Sequence, residues 1–97
     1  MARLEVLNPV AETVQYRVQP APRLPDLKGR TVGLYWNMKA GGNIALEEVA
    51  RLLAERYPGV RFRHYTGSVG ALMRHATPQD AERMARECDA VIGTTSD

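Results

Sequence analysis

The chain has 97 residues and a mass of 10.8 kDa, which limits it to one domain with a thin core. Its 44% hydrophobic and 25% charged residues are the balance of a globular protein, and the sequence contains neither an apolar run of the ~20 residues that span a membrane nor a secretory segment. Because the net charge of +2 comes from scattered basic residues and Cys88 is the only cysteine, we expect a cytoplasmic protein without a disulfide, a Cys-rich zinc site, a nucleic-acid partner or a membrane partner.

Residues 1–28 predict an extended N-terminal arm rather than a compact unit. Residues 4–7 have the composition of a short strand, and residues 13–18 that of a second extended piece. Pro20, Pro22 and Pro25 follow, and proline at this density favours an extended chain and opposes a helix.

The pattern becomes regular from Gly29 onward. Thr31–Trp36 is a continuous apolar and β-prone run, which is typical of a strand buried on both faces. Apolar residues then recur at helical spacing and predict an amphipathic helix, with Asn43 as its N-cap, a Glu47–Arg51 ion pair on its outer side, and Pro58 after its end.

Two further strands and one helix complete the pattern. Residues 60–65 alternate apolar and arginine side chains, as in a half-exposed edge strand. Thr77 followed by Pro78 is a strong helix start, and the apolar side of that helix contains Met84 and Cys88. Residues 90–93 are apolar on both faces and predict the last strand.

This β-α-β-α-β order is typical of an α/β fold with right-handed crossovers. We expect residues 29–97 to form a flavodoxin- or Rossmann-like half domain, a three-stranded parallel sheet of strand order 2-1-3 with flanking helices. A bare apolar edge on the third strand invites pairing with another chain. We therefore expect another polypeptide, or another copy of this one, to complete the sheet.

Ligands of open α/β sheets bind at the carboxyl ends of the strands, where the sequence places two polar loops. The first contains Asn37, Lys39, Gly41 and Gly42 and leads into a helix N-terminus, which favours anions. Lys39 would bind a carboxylate or phosphate, or stabilise a thiolate. Asn37 would orient a ligand or form a turn, and the two glycines would admit an anion or make a flexible turn.

The second loop consists of Thr94, Thr95, Ser96 and Asp97. These residues would line the pocket, and Asp97 would add a carboxylate to it. The alternative for all four is an ordinary strand exit.

The other reactive side chains have simpler interpretations. Cys88 is expected to be a small buried hydrophobe. His64 and His75 lack neighbours at metal-ligand spacing, so no metal site is predicted. Residues 67–70 read as a loop that could act as a flap.

Three parts of the sequence resemble the N-terminal half of the Sec-Gly-Ser-Cys (UGSC-like) family. They are the segment GRTVGLYWNMK at residues 29–39, the amphipathic helix that follows it, and ECDAVIG at residues 87–93. The resemblance covers residues 3–97. That family is distantly similar to the substrate-specific B components of glycine, sarcosine, betaine and D-proline reductases.

The resemblance implies a reactive Sec or Cys followed by Gly-Ser-Cys directly after the third strand, at the position following Asp97. It implies that this chain is the small subunit of a two-chain enzyme that acts on a small carboxylate- or amine-bearing molecule; the short chain would be either a separate subunit or the product of self-cleavage after Asp97. The companion chain would complete the sheet and supply a Cys, a Sec or a pyruvoyl group, and no cofactor would reside in this chain. The implied catalytic residues are Lys39 and Asp97, and the implied substrate-binding residues are Asn37, Gly41, Gly42, Thr94, Thr95 and Ser96.

Two alternatives remain open on the sequence. In the first, the Lys39 loop and the helix after it form a non-catalytic module that binds a phosphate or a nucleotide. In the second, the chain is a structural homodimer in which the edges of the strand at residues 90–93 pair.

Overall fold

The computed structural model describes residues 3–11, 13–71 and 73–95, which contain three strands and two helices. The elements in chain order are β1 (Thr31–Trp36), α1 (Gly42–Arg56), β2 (Arg61–Thr66), α2 (Pro78–Glu87) and β3 (Ala90–Thr94). The strands form one parallel sheet in the order β2-β1-β3. The predicted α/β fold, its parallel sheet and its 2-1-3 order are therefore confirmed.

The core lies on the face of the sheet that α1 covers. Val32 and Leu34 of β1 and Leu46 of α1 are each 1–2% exposed, and Phe62 and Ile92 from the outer strands pack against them. Full burial of an aliphatic side chain of this size stabilises a fold by about 1.5–3 kcal/mol. Within residues 3–11, 13–71 and 73–95, only these three side chains reach this level of burial, so the core is as thin as the chain length predicts.

Helix α1 differs from its predicted start. Its N-cap is Gly41, at φ +91° in the left-handed region, and not Asn43. Glycine adopts that φ without the steric cost that a Cβ brings, so the backbone begins the helix two residues earlier than a side-chain cap at Asn43 would. The predicted Glu47–Arg51 pair is also wrong, because Arg51 bonds Glu48 and Glu55 while Glu47 reaches His64 on β2.

Helix α2 begins as predicted, on the opposite face of the sheet. The Thr77 side chain accepts a hydrogen bond from the amide of Asp80, and the Asp80 carboxylate accepts one from the amide of Thr77. Two of the free N–H groups at the helix start are thus satisfied. Met84 of the helix is buried on this face. Gly33, which has no side chain, leaves room there for the ring of Tyr65.

The arm contains no helix or strand in residues 3–11 and 13–27. The short strand predicted at residues 4–7 is therefore not formed, because no neighbouring strand bonds to it and an unpaired strand gains no ladder hydrogen bonds. Leu27, at the end of the arm, packs against the core. The adjoining Lys28 amide donates to the Asp26 carboxylate at 2.8 Å in the turn that leads into β1.

Strand β3 pairs with β1 on one edge, and its other edge has no strand partner within residues 3–11, 13–71 and 73–95. Val91 on this strand is 45% exposed. None of the helices in the part of the chain that the structure describes is long and apolar enough to cross a bilayer.

Candidate functional site

The side chain of Asn37 joins the carboxyl ends of β1 and β3. Its backbone amide donates to the Thr94 carbonyl at 3.0 Å, which extends the ladder by one bond. Its side-chain Nδ2 donates to the Thr95 carbonyl at 2.8 Å, and its Oδ1 accepts from the Thr95 amide at 3.2 Å. Asn37 therefore holds the chain in place where it leaves β3, at the edge predicted to carry the site.

Hydrogen bonds between the side chains of Trp36 and Asn37 and the backbone of Lys39 fix the loop after Asn37. Oδ1 of Asn37 also accepts from the Lys39 amide at 3.1 Å, which is an Asx turn, and Met38 between them has φ +69°. Nε1 of Trp36 donates to the Lys39 carbonyl at 2.7 Å. The structure thus shows the turn-forming role of Asn37 and places Lys39, which is exposed, at the rim of this edge.

The two glycines of the loop have different surroundings. Gly41 is exposed, and a Cβ built on it meets nothing within 4 Å. Gly42 is buried: a Cβ there would lie 2.8 Å from Oγ1 of Thr94 and 2.9 Å from Cδ1 of Trp36. Its amide donates to the Lys39 carbonyl, and its own carbonyl accepts from the Thr94 hydroxyl at 3.0 Å. Gly42 therefore allows α1 to approach the end of β3 closely.

A shallow concavity opens beside this joint. Its volume is about 230 Å³, and it is lined by Tyr35, Asn37, Gly93, Thr94 and Thr95. It is smaller than the ~300–1,000 Å³ of sites that enclose drug-sized ligands. The missing side chain at Gly93 leaves the wall along β3 low.

The loop between β2 and α2 is held against the carboxyl end of β1 by hydrogen bonds of Arg74. The Arg74 amide donates to the Asn37 carbonyl at 2.9 Å, and the Tyr35 hydroxyl donates to the Arg74 carbonyl at 3.1 Å. Nε of Arg74 donates to the Gly67 carbonyl at 2.6 Å, which closes the loop on itself. The sequence analysis did not identify Arg74. No local pattern marks it, because its contacts depend on how the eleven-residue loop of residues 67–77 folds across the sheet.

The same loop is tied to the start of α2. The Ser68 hydroxyl donates to Oδ2 of Asp80 at 2.6 Å, and the Ser68 amide donates to the same oxygen at 3.1 Å. These bonds, led by that of the Ser68 hydroxyl and followed by that of the Thr77 amide, hold the pKa of Asp80 well below its usual range. Residues 67–70, predicted as a loop that could act as a flap, are thus anchored, because Ser68 bonds Asp80 and the Gly67 carbonyl accepts from Arg74.

Cys88 lies away from the concavity, on the face covered by α2. Its Sγ is 3.2 Å from the Tyr65 hydroxyl and would be 3.0 Å from a Cβ on Gly33. The Tyr65 hydroxyl also donates to Glu87 at 3.1 Å. Burial, followed by the hydrogen bonds to Cys88 and Glu87, raises the pKa of Tyr65 to about 12. This cluster belongs to the packing of α2, as expected for a half-buried cysteine.

The structure brings three of the predicted site residues, Asn37, Thr94 and Thr95, into direct contact, and places Gly42 behind them. Ser96 and Asp97 lie outside the described residues. No group of three or more potential metal ligands occurs among residues 3–11, 13–71 and 73–95.

A family model matches residues 5–97, almost the whole sequence, and its description is the UGSC family. The chain belongs to the UGSC family. No curated protein and no solved structure matches it. In this UGSC chain, the match includes residues 5–28 of the N-terminal arm as well as the α/β unit.

Proposed function

We propose that this UGSC chain is the small subunit of a two-chain enzyme that acts on a small carboxylate- or amine-bearing molecule. The reactive group, a Cys or Sec thiolate or selenolate or a pyruvoyl carbonyl, comes from the companion chain. The observation that carries the proposal is the UGSC family match over residues 5–97 together with the concavity at the end of β3. In the family that this chain resembles, the Sec- or Cys-Gly-Ser-Cys signature follows the third strand.

The concavity supports this assignment through its size and its position. A volume of about 230 Å³ accommodates a molecule of amino-acid size. It lies directly beside Thr95, at the end of the sheet where ligands of α/β proteins bind. A reactive residue placed after the third strand would therefore enter from the side that Gly93 leaves low.

Three side chains of this subunit act on the substrate or on the geometry of its site. Lys39 at the rim would attract the substrate carboxylate and pair with it. The Asn37 side chain fixes the backbone of Thr95, so the residues after β3 leave the sheet in one direction. Tyr35 lines the concavity, and its hydroxyl holds the Arg74 loop at the end of β1.

The first experiment is chemical. The gene is sequenced beyond codon 97, and the complex of the chain with the polypeptide that carries the signature is purified. A thiolate or selenolate is expected to react with iodoacetamide, and a pyruvoyl carbonyl with phenylhydrazine, each read by mass spectrometry. Loss of the label in the presence of small carboxylates or amines supports the proposal. A complex that neither reagent labels, or labelling that no such molecule reduces, contradicts it.

The second experiment compares two lysines at opposite ends of the sheet. Lys39→Ala removes the charge at the carboxyl end, and Lys28→Ala removes one at the amino end, before β1. Loss of one charge-assisted hydrogen bond costs about 1.5–3 kcal/mol, so KM in the assembled enzyme should rise about 10- to 100-fold for Lys39→Ala. For the control Lys28→Ala, KM is expected to stay unchanged. Equal KM values for the two variants would refute the role of Lys39.

A further inference from the structure

The arm exposes most of the large apolar side chains that it carries. Seven of them are 71–90% exposed, an unusual degree for consecutive apolar positions in a globular protein. They are Leu4, Val6, Leu7, Val10, Val14, Tyr16 and Val18. The UGSC family match includes residues 5–28 of this arm, and none of the described residues buries these seven side chains.

The accessible area of the whole chain shows how much surface is left over. The chain exposes 8340 Å², whereas a compact monomer of 10.8 kDa exposes about 5,500 Å², an excess of roughly 2,800 Å². Its radius of gyration of 19.4 Å likewise exceeds the ~12.5 Å of a compact domain of this length. Each partner in a standard stable interface loses only about 800 Å². The arm therefore carries enough surface for a stable dimer.

Residues 13–19 of the arm have the pattern of a one-sided strand. Val14, Tyr16 and Val18 alternate with Gln15 and Arg17, so in extended backbone the three apolar side chains share one face. Such a strand fits a free sheet edge where apolar side chains cover one face of the sheet and solvent lies on the other face.

Strand β3 offers an edge of that kind. On α1, Glu47 bonds His64 of β2 at 2.8 Å and so marks the side of the helix that faces β2. Val49 is about 200° further around the helix, so it lies on the flank towards β3, and the 50% exposed Leu52 continues that flank. A strand added outside β3 would place one face beneath this apolar flank and the other towards solvent.

We propose that residues 13–19 of one chain add as a strand to the β3 edge of a second copy, and that the two copies exchange arms. Donor strand and acceptor edge are both present on this chain, so a twofold exchange satisfies both copies and closes the assembly. Pro20 and Pro22 keep the arm extended where it passes the start of β3 at Ala90, which directs residues 13–19 away from the chain's own edge.

The exchange is independent of the proposed enzymatic function. It assigns completion of the sheet beyond β3 to a second copy. The carboxyl end of the sheet, at Thr95, stays open to a companion chain. Failure of one proposal therefore leaves the other standing.

The test is the oligomeric state of the full chain, measured by sedimentation equilibrium over a range of concentrations. The wild-type chain is expected to have twice the 10.8 kDa mass of one chain. Tyr16→Asp on the donor face and Leu52→Lys on the acceptor flank should each raise the dimer dissociation constant about tenfold or more. Both positions are exposed in the single chain, so neither change should affect its folding.

Each variant has a matched control. Gln15→Lys alters the polar side of the same strand, and Ile44→Lys alters an exposed apolar residue on the outer side of α1, 71% exposed and away from the β3 flank. Both controls should remain dimeric. Hydrogen exchange should show amides 13–19 protected at high concentration and unprotected on dilution.

Three outcomes would overturn the exchange. The first is a wild-type monomer at all concentrations. The second is a dimer that the Tyr16 and Leu52 variants leave intact. The third is protection of residues 13–19 in a monomer, which would mean that the arm folds back onto its own β3.

Discussion

The substitution Gly42→Ala tests whether α1 meets the end of β3 as closely as the structure shows. In most helices this change stabilises, because glycine costs about 0.5–1 kcal/mol relative to alanine. Here the new Cβ would lie 2.8 Å from Oγ1 of Thr94 and 2.9 Å from Cδ1 of Trp36. Real Cβ atoms do not occupy such distances, so the helix or the strand end must shift.

The expected sign is therefore reversed. Overpacking a tight contact costs about 1–3 kcal/mol, which exceeds the gain in helix propensity and leaves a net loss of about 1–2 kcal/mol. The shift would also stretch the bond from the Thr94 hydroxyl to the Gly42 carbonyl, now 3.0 Å. For a domain of this length, such a loss lowers Tm by about 4–15 °C.

The assay is urea and thermal unfolding followed by the fluorescence of Trp36, the only tryptophan, whose ring touches the substituted position. Asn43→Ala is the matched control, because it raises helix propensity in the same turn at an exposed position and should stabilise by a few tenths of a kcal/mol. A Gly42→Ala variant as stable as the wild type, or more stable, would show that the helix does not approach the strand end in this way.

Two further predictions concern the start of α2 and Tyr65, the residue of β2 that bonds to the end of this helix. Thr77→Ala removes the cap and should cost about 1 kcal/mol of unfolding free energy in urea titrations, whereas Gln79→Ala, exposed in the same turn, should be nearly neutral; equal midpoints would contradict the capping geometry. Because burial raises the pKa of Tyr65 to about 12, the folded state keeps a proton that the unfolded chain loses near pH ~10. Stability should therefore be unaffected below pH ~10 and fall as the pH rises towards ~12, and Tyr65→Phe should abolish this dependence. A wild-type Tm that stays flat across that interval would refute it.

Much of the fold could be predicted because it rests on short-range patterns. The apolar run Thr31–Trp36 and the Thr77-Pro78 start each determine an element through neighbours within a few residues. The strand order then follows from the handedness of the crossovers. The predicted N-cap of α1 was wrong by two residues, because the helix is capped by a glycine in the left-handed region at position 41 and not by the side chain of Asn43.

The meeting of the loops after β1 and β3 was predictable, but the contacts that their residues make were not. The rule that ligands bind at the carboxyl ends of strands identified Asn37, Thr94 and Thr95. It could not show that the Asn37 amide is used to hold Thr95, because that contact joins residues 58 apart in sequence. Arg74 was missed for the same reason, since its contact with Asn37 spans the fold of an entire loop.

The ion pairs on α1 show why long-range geometry also decides local contacts. Sequence spacing alone allows Arg51 to pair with Glu47, Glu48 or Glu55. Each exposed pair would stabilise the helix by a similar amount, about 0.3–0.5 kcal/mol. The choice is made by the sheet: β2 places His64 within 2.8 Å of Glu47, and Arg51 then bonds Glu48 and Glu55. The contact also shows how the helix is oriented, because with Glu47 towards β2 the opposite flank lies towards β3.

That orientation links the thin core to the exposed surface of the chain. The face of α1 that carries Leu46 and Ala50 packs against the sheet, so Leu52 lies on the flank of the helix and outside the core. Among the described residues, only three aliphatic side chains are almost completely buried, while Leu52 and seven apolar residues of the arm stay exposed. A lone chain with this balance gains little from folding, since small domains depend on every buried side chain. Association that covers the flank and the arm together would supply the missing burial, so stability and assembly of this chain should rise and fall together with concentration.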